Sequence, residues 1–207
     1  RQVHGLVLGR AAHAGVAPVE VQRHVAAGAL RAIVESVGHG PDFRSFQLEA
    51  PAGLIALPYH SLGHLLTLDD KRAALTHVYG QLRPGGRFIF DDFLMTPALM
   101  DHMRRVQLRA AYQSAAGLDT RLWVTSLVDE ASQRISVVTW EDEADAEGLL
   151  VRRRYRRLSL SWLEPSQTRT LLSDAGFQVE ACFGDFVRTP FVPGTADEQV
   201  WIARRPA

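Results

Sequence analysis

The sequence predicts an α/β domain: a mostly parallel sheet with a closing antiparallel strand, plus an antiparallel β insertion. Three observations carry that prediction. Gly53 to Phe93 reads as strand, helix, Gly-rich turn and strand, a βαβ unit whose strands run parallel with a right-handed crossover. Between Leu122 and Ser161 the apolar period changes to two, the spacing of antiparallel strands. Near the C-terminus a helix is followed by two short strand-like runs, Phe177–Glu180 and Gln199–Ala203.

The totals set the class. A chain of 207 residues, 46% hydrophobic and 22% charged, is long and apolar enough for one domain with its own core. Lys+Arg and Asp+Glu are 23 each, so the formal charge is zero, which argues against a dedicated nucleic-acid binder. The cations are nearly all arginine, and Lys71 is the only lysine. With abundant alanine, that bias suggests a GC-rich bacterial genome. Cys182 is alone, which leaves no disulfide framework and no cysteine zinc site. No run approaches a membrane span and no signal peptide is visible, so a cytoplasmic protein is expected.

Along the chain, Val3–Leu8 reads as a short strand. Ala11 to Ala32 is Ala/Val/Gly/His-rich with weak periodicity, and His4, His13, His24 and His39 show no metal-ligand spacing. Leu30 to Glu35 reads as a second strand. Leu54–Leu57 is an unbroken apolar run, as a strand buried on both faces requires, and Pro58 ends it. Thr67 is the expected N-cap of the next helix, with Asp69 and Asp70 in its first turn, where the helix dipole favours carboxylates. Leu68, Leu75, Val78, Tyr79 and Leu82 recur at helical spacing. Pro84-Gly85-Gly86 breaks that helix, and Arg87–Phe90 is a strand ending in Asp91-Asp92.

Pro97 to Ala116 is expected to be one helix, with Leu99, Met103, Val106, Ala110 and Tyr112 as its buried stripe. Three strands follow, at 122–127, 135–140 and 152–161. The turn at Asp129–Ser132 links the first two, and acidic Glu141–Glu147 is expected to be a solvated loop between the second and third. On a strand the run Arg152–Arg157 alternates faces, so at most three arginines point one way. They are expected to pair with the acidic loop or to hold an anionic group. Glu164-Pro165-Ser166 opens the last helix, with Gly176 at its C′ position.

Ligands of open parallel sheets bind beyond the carboxyl ends of the strands. Those ends carry Pro58-Tyr59-His60-Ser61 and Asp91-Asp92-Phe93, polar or aromatic groups placed directly after apolar runs. His60 is the better base candidate, because it sits at the strand terminus and an imidazole titrates near neutral pH. His60 and His64 are four apart and on a helix would share a face. No third ligand has convincing spacing, although Asp91 and Asp92 lie at the neighbouring strand end, and no metal is expected. His64 reads equally well as a histidine bonded to backbone. Of the two acids, one is expected to hold a substrate hydroxyl or ammonium group and the other to cap the helix that starts at Thr96-Pro97.

The ordered set ALPYHSLGHLLT, LRPGGRFIFDDF, SWLEPSQTRTLLSDAGFQVEACFGDF and EQVWIARRP resembles class I S-adenosylmethionine-dependent methyltransferases, in particular the small bacterial branch that includes sugar N,N-dimethyltransferases. The resemblance covers roughly residues 30 to 207. It places Leu54–Leu57 and Arg87–Phe90 as the fourth and fifth strands of a Rossmann-like sheet. The branch commonly has an Asn-Ser pair after the fourth strand; here His60-Ser61 stands in its place. The resemblance implies an S-adenosylmethionine cofactor, methyl transfer to an amine or hydroxyl of a small molecule, and possible homodimer contact or substrate cover by the insertion. Gly40–Phe46 is similar to the family's Gly-Asp-x-Arg-x-Phe turn with Pro41 inserted, which implies Asp42 and Phe43 against the adenine ring. Without the resemblance, an Asp-containing surface turn accounts for that stretch. Leu57, Pro58 and Tyr59 complete the implied cofactor residues. Asp91, Asp92, Trp140 and Tyr155 are the implied substrate residues, and His60 and His64 the implied catalytic ones.

The sequence departs from the family at its start. It has no G-x-G-x-G. If Val3–Leu8 is the family's second strand, Val7 falls where an acid bonds the ribose; if Gly9-Arg10 is a remnant of the Gly-rich turn, few residues remain before the next feature. Residues 1–48 are therefore read as a degenerate or incomplete cofactor half of a single domain spanning 1–207, and 118–161 as the β insertion. A fragment, a fold that has lost cofactor binding and an aberrant N-terminus all fit. The alternative function is a non-methylating protein on the same fold, either a repurposed biosynthetic enzyme or a binding partner.

Overall fold

A computed structural model describes residues 44–196 and 198–207, together with the backbone of two strands, β1 (Gly5–Val7) and β2 (Ala32–Ile33). Asp42, Phe43, Gly9 and Arg10 lie outside the described residues. The chain divides into two compact units, one of residues 1–62, 67–94 and 163–207, the other of residues 63–66 and 95–162.

The first unit is built on a six-stranded sheet. Besides β1 and β2 it contains β3 (Ala52–Leu57), β4 (Leu82–Phe93), β9 (Gln178–Phe183) and β10 (Glu198–Arg204). Their order is β2-β1-β3-β4-β10-β9. β3 and β4 pair in parallel in the sheet interior, Leu54 opposite Arg87 through Leu57 opposite Phe90, as the apolar runs require. β10 closes the sheet, antiparallel to both β4 and β9. β1 lies between β2 and β3, parallel to both. In a doubly wound sheet the neighbour of the fourth strand is the first, not the second. The reading that lays Val3–Leu8 over a second strand, with Val7 at the ribose acid, is therefore corrected, and the point where strand order reverses lies between β1 and β3.

Helix α1 (Leu68–Gln81) starts as the sequence requires, with Thr67 Oγ1 accepting from the Asp70 N–H at 3.1 Å. Its buried face is Lys71, Ala74, Leu75 and Val78; Leu68, expected in that stripe, is exposed. The Pro-Gly-Gly turn is an irregularity inside β4. Gly85 has φ 74°, and a Cβ on Gly86 would lie 2.8 Å from the Arg83 carbonyl and 3.0 Å from that of Ala52. Helix α3 (Pro165–Asp174) opens with the Glu164 N–H donating to Gln167 Oε1, and Gly176 ends it at φ 93°. Ile55, Phe88, Phe90, Leu172 and Trp201 are fully buried.

The second unit holds α2 (Pro97–Arg104) and an antiparallel sheet ordered β5 (Gln107–Gln113), β6 (Asp119–Asp129), β7 (Arg134–Ala144), β8 (Leu150–Ser161). The single helix expected over Pro97–Ala116 is corrected: α2 stops at Arg104, and Gln107–Gln113 pairs with β6 as a fourth strand. α2 has no buried residue, and Val106 and Tyr112 are exposed. The acidic stretch is corrected in its first half, while Asp145–Glu147 do lie in the connection between β7 and β8. Glu141, Asp142 and Glu143 lie on β7, directly opposite Arg154, Arg153 and Arg152. Glu143 accepts from Arg152 and Arg154, Asp142 from Arg153, and Arg154 also lies 3.2 Å from Glu141. Opposed unlike charges on neighbouring strands stabilise the ladder, so the arginine run is largely neutralised by its neighbouring strand. No described helix is long and apolar enough to cross a membrane.

Two glycine substitutions test this packing. Gly86→Ala should cost roughly 1–3 kcal/mol, because backbone atoms must move to admit the methyl. Gly80→Ala, on an exposed turn of α1 where an added Cβ meets nothing within 4 Å among the described residues, should stabilise by about 0.5–1 kcal/mol. Urea denaturation of both variants checks the opposite signs.

Candidate active site

The site lies at the carboxyl ends of β3 and β4 and at the start of β10. β3 ends at Leu57, and the next residues leave the extended conformation sharply. Tyr59 and His60 have φ of 63° and 51°, left-handed backbone that non-glycine residues rarely adopt. Such strain persists only where surrounding structure holds it, and it clusters at functional sites. The holding group is Asp91. Its Oδ1 accepts from the Tyr59 N–H at 3.0 Å and its Oδ2 from the His60 N–H at 2.9 Å. A turn of 3-10 helix, Ser61–His64, follows, and Ser61 Oγ donates back to the Pro58 carbonyl.

His60 is then fixed on three sides. Its ring stacks on Phe93, with centroids 3.8 Å apart and planes inclined by 21°. Its Nε2 is 2.9 Å from Glu198 Oε2 and 3.5 Å from Asp91 Oδ2. Burial pulls the His60 pKa down, but the hydrogen bond and charge of Glu198, with the charges of Asp91 and Asp92, more than offset this, and the net displacement is upward. Burial raises the Asp91 pKa, against the hydrogen bond from the His60 backbone and the His60 charge.

Glu198 reaches the site because β10 is pinned to β4. Gln199, fully buried, donates through Nε2 to the Phe93 carbonyl at 2.8 Å and the Leu163 carbonyl at 2.7 Å. Its Oε1 accepts from Trp201 Nε1 at 3.0 Å. That register sets Glu198 opposite Phe93.

Behind the site lies a buried pair of opposite charges. Asp92 is 0% exposed; its Oδ1 accepts from the Phe93 N–H, and its Oδ2 has no hydrogen-bond partner among the described residues. Burial pushes the Asp92 pKa up to about 7, against the opposing charge of Lys71. Lys71, on the buried face of α1, donates to the Leu62 carbonyl at 2.7 Å, and burial pulls its pKa down to about 8 against the charge of Asp92.

The expected residues are thus placed as follows. Tyr59, His60 and Asp91 come together at one end of the first sheet. Leu57 is buried, Pro58 half-buried, and Tyr59 is 67% exposed. Asp92 is sealed, so it reaches a ligand only through its neighbours. Neither acid caps α2, whose N-cap is Thr96, accepting from the Leu99 N–H at 3.1 Å. His64 ends the 3-10 turn, half-buried. Trp140 and Tyr155 belong to the second unit, where they face each other across β7 and β8, ring centroids 6.1 Å apart.

Sequence reasoning missed Glu198 and the buried Lys71. The only signal for Lys71 was its place in the helical stripe, three, four and seven residues before Ala74, Leu75 and Val78. The donor atoms of His60, Asp91 and Glu198 lie within 4.8 Å of one another, a gathering that a divalent cation would also accept. Hydrogen bonds already engage His60 Nε2 and both Asp91 oxygens.

Similarity to known proteins agrees with this geometry. The chain is 28% identical over 130 residues to a dTDP-4-amino-2,3,4,6-tetradeoxy-D-glucose N,N-dimethyltransferase of Saccharopolyspora spinosa, covering 58% of this chain and 52% of that one. It therefore spans about half the length of that curated relative. The CcbJ methyltransferase from Streptomyces caelestis superposes with a TM-score of 0.63, at 18% identity over 81% of this chain and 62% of that chain. This chain has the class I methyltransferase fold. An S-adenosylmethionine-dependent methyltransferase from Clostridium acetobutylicum gives 0.62 at 12% identity, over 81% of this chain and 63% of that one. No family model matches the chain.

The buried pair makes a signed prediction. An aspartate whose folded pKa lies above its unfolded value favours the folded state while protonated, and that contribution is lost as pH rises through the folded pKa. Lys71→Met removes the charge that opposes ionised Asp92. The variant should lose about 3 kcal/mol or more near pH 8, and clearly less near pH 5, where Asp92 is protonated. Urea midpoints across that range check this; an equal loss at both pH values would contradict it.

Proposed function

We propose that this protein transfers a methyl group from S-adenosylmethionine to an amine of a small molecule, as a cytoplasmic bacterial enzyme. The observation that carries the reading is the strained, clamped turn after β3, next to the point where strand order reverses, where sheets of this class bind ligands. Tyr59 fits the cofactor: an exposed aromatic ring at the strand end offers a flat face, and the half-buried Pro58 lies beside it. Asp42 and Phe43 are proposed against the adenine. When bound, the cofactor supplies an electrophilic sulfonium methyl.

The chain's own groups do the rest. His60, with 24% of its side chain exposed, faces the acceptor and takes up the proton that the methylated nitrogen loses, with Glu198 beside it. Asp91 acts from behind by fixing the His60 backbone, and the acidic character of the cluster favours an amine or ammonium over an anionic acceptor. His64 is proposed to support the turn. The sugar N,N-dimethyltransferase similarity makes a 4-aminohexose nucleotide the first acceptor to try.

The test is methyl transfer from labelled S-adenosylmethionine to such an amine, with S-adenosylhomocysteine binding measured by calorimetry. Transfer is expected. His60→Ala should lower kcat by about a hundredfold or more and change S-adenosylhomocysteine affinity much less. The absence of a G-x-G-x-G motif favours one other reading, a repurposed fold. Neither transfer nor binding, in this chain or in one lengthened at its N-terminus, would establish that reading instead.

A further inference from the structure

We infer that Glu198 is a positioning residue: its carboxylate holds His60 with a proton on Nε2, so that Nδ1 is the ring nitrogen that receives a proton from the acceptor. This rests on the reading of His60 as the base. The step begins from bonding rules. An ionised carboxylate only accepts hydrogen bonds, so a ring nitrogen 2.9 Å from one carries the hydrogen. A neutral imidazole has one N–H and one lone pair. With the hydrogen on Nε2, the lone pair is on Nδ1.

Glu198, and not Asp91, sets this state. Asp91 Oδ2 is 3.5 Å from Nε2, beyond a good hydrogen bond, and both its oxygens already accept backbone N–H groups. The other groups facing the ring do not compete for Nε2. Phe93 supplies a stacking face, and Asp92 is buried with Lys71 acting on it. With two carboxylates on one side, the ring also gains a proton more readily than burial alone would allow.

The proton then has a balanced route. Bound S-adenosylmethionine would supply the methyl: the acceptor nitrogen's lone pair would form the N–C bond as the bond from methyl to sulfonium broke. The methylated nitrogen carries one proton too many. Its N–H bond breaks toward Nδ1, the electron pair stays on nitrogen, and the new positive charge on the ring faces Glu198. Solvent removes the proton afterwards.

The test is 15N and 1H NMR of the full chain, following the His60 ring through pH. The expected native state has the hydrogen on Nε2 and a midpoint above the ordinary histidine value. Glu198→Gln, which keeps the shape and removes the charge, should move the midpoint down by about one to three pH units. A hydrogen on Nδ1 in the native ring, or an unchanged midpoint in Glu198→Gln, would overturn the proposal. The rate readout separates this from the functional reading. If methyl transfer occurs, the rising limb of kcat against pH should move with the NMR midpoint in Glu198→Gln; a limb that stays put would also overturn the proposal. If no amine is methylated but the NMR result is as expected, the functional reading fails while the pairing of Glu198 with His60 stands.

Discussion

Two backbone N–H groups donated to one carboxylate hold this site in shape. Left-handed backbone at Tyr59 and His60 costs on the order of 1–3 kcal/mol per residue. Each hydrogen bond to the charged Asp91 contributes about 1.5–3 kcal/mol. The two magnitudes match, so one side chain is enough to keep the turn in place. The consequence is directional. A strand that would otherwise run on is bent so that Tyr59 turns outward and His60 turns back over Phe93.

The sheet topology makes that possible. β3 and β4 are parallel neighbours, so their carboxyl ends fall at the same edge, and Asp91 follows Phe90 just as Tyr59 follows Leu57 and Pro58. β10 runs the other way, so its first residue, Glu198, arrives at that edge too. Three strands thus deliver a histidine and two acids to one place. Such a concentration of negative charge in a half-buried setting needs a counterweight. His60 supplies it within the site and Lys71 behind it.

The parts legible in the sequence were those with strong burial. Leu54–Leu57 and Phe88–Phe90 announce themselves as unbroken apolar runs, and their parallel pairing follows from the helix between them. β10 was legible for the same reason, with Trp201 and Ala203 fully buried, whereas β9 has no buried residue and was marked by the helix end at Gly176 before it. β5 was not. It is an edge strand, mostly exposed on both faces, so it carries no burial pattern, and its Ala-rich sequence and the lack of a Gly or Pro after Arg104 mimic a continuing helix. Glu141–Glu143 read as a loop because acids alone suggest solvent; only the register with Arg152–Arg154 turns them into strand residues. At the site, His60 and Asp91 were readable from their places after apolar runs. Glu198 was not, because its position depends on an antiparallel register set by the buried amide of Gln199, which no local pattern reveals.

The geometry of the strand end depends on one claim, that Asp91 holds the turn. Amide hydrogen exchange at Tyr59 and His60 tests it most directly. Both amides should be protected in the native chain. In Asp91→Asn, where one acceptor oxygen and the charge are lost, they should exchange about ten- to a hundredfold faster, the equivalent of one charged hydrogen bond, while amides of β4 and β10 away from the turn keep their protection. Tyr59 and His60 amides that exchange as fast as an unstructured peptide in the native chain, or that are unchanged in the variant, would contradict the account.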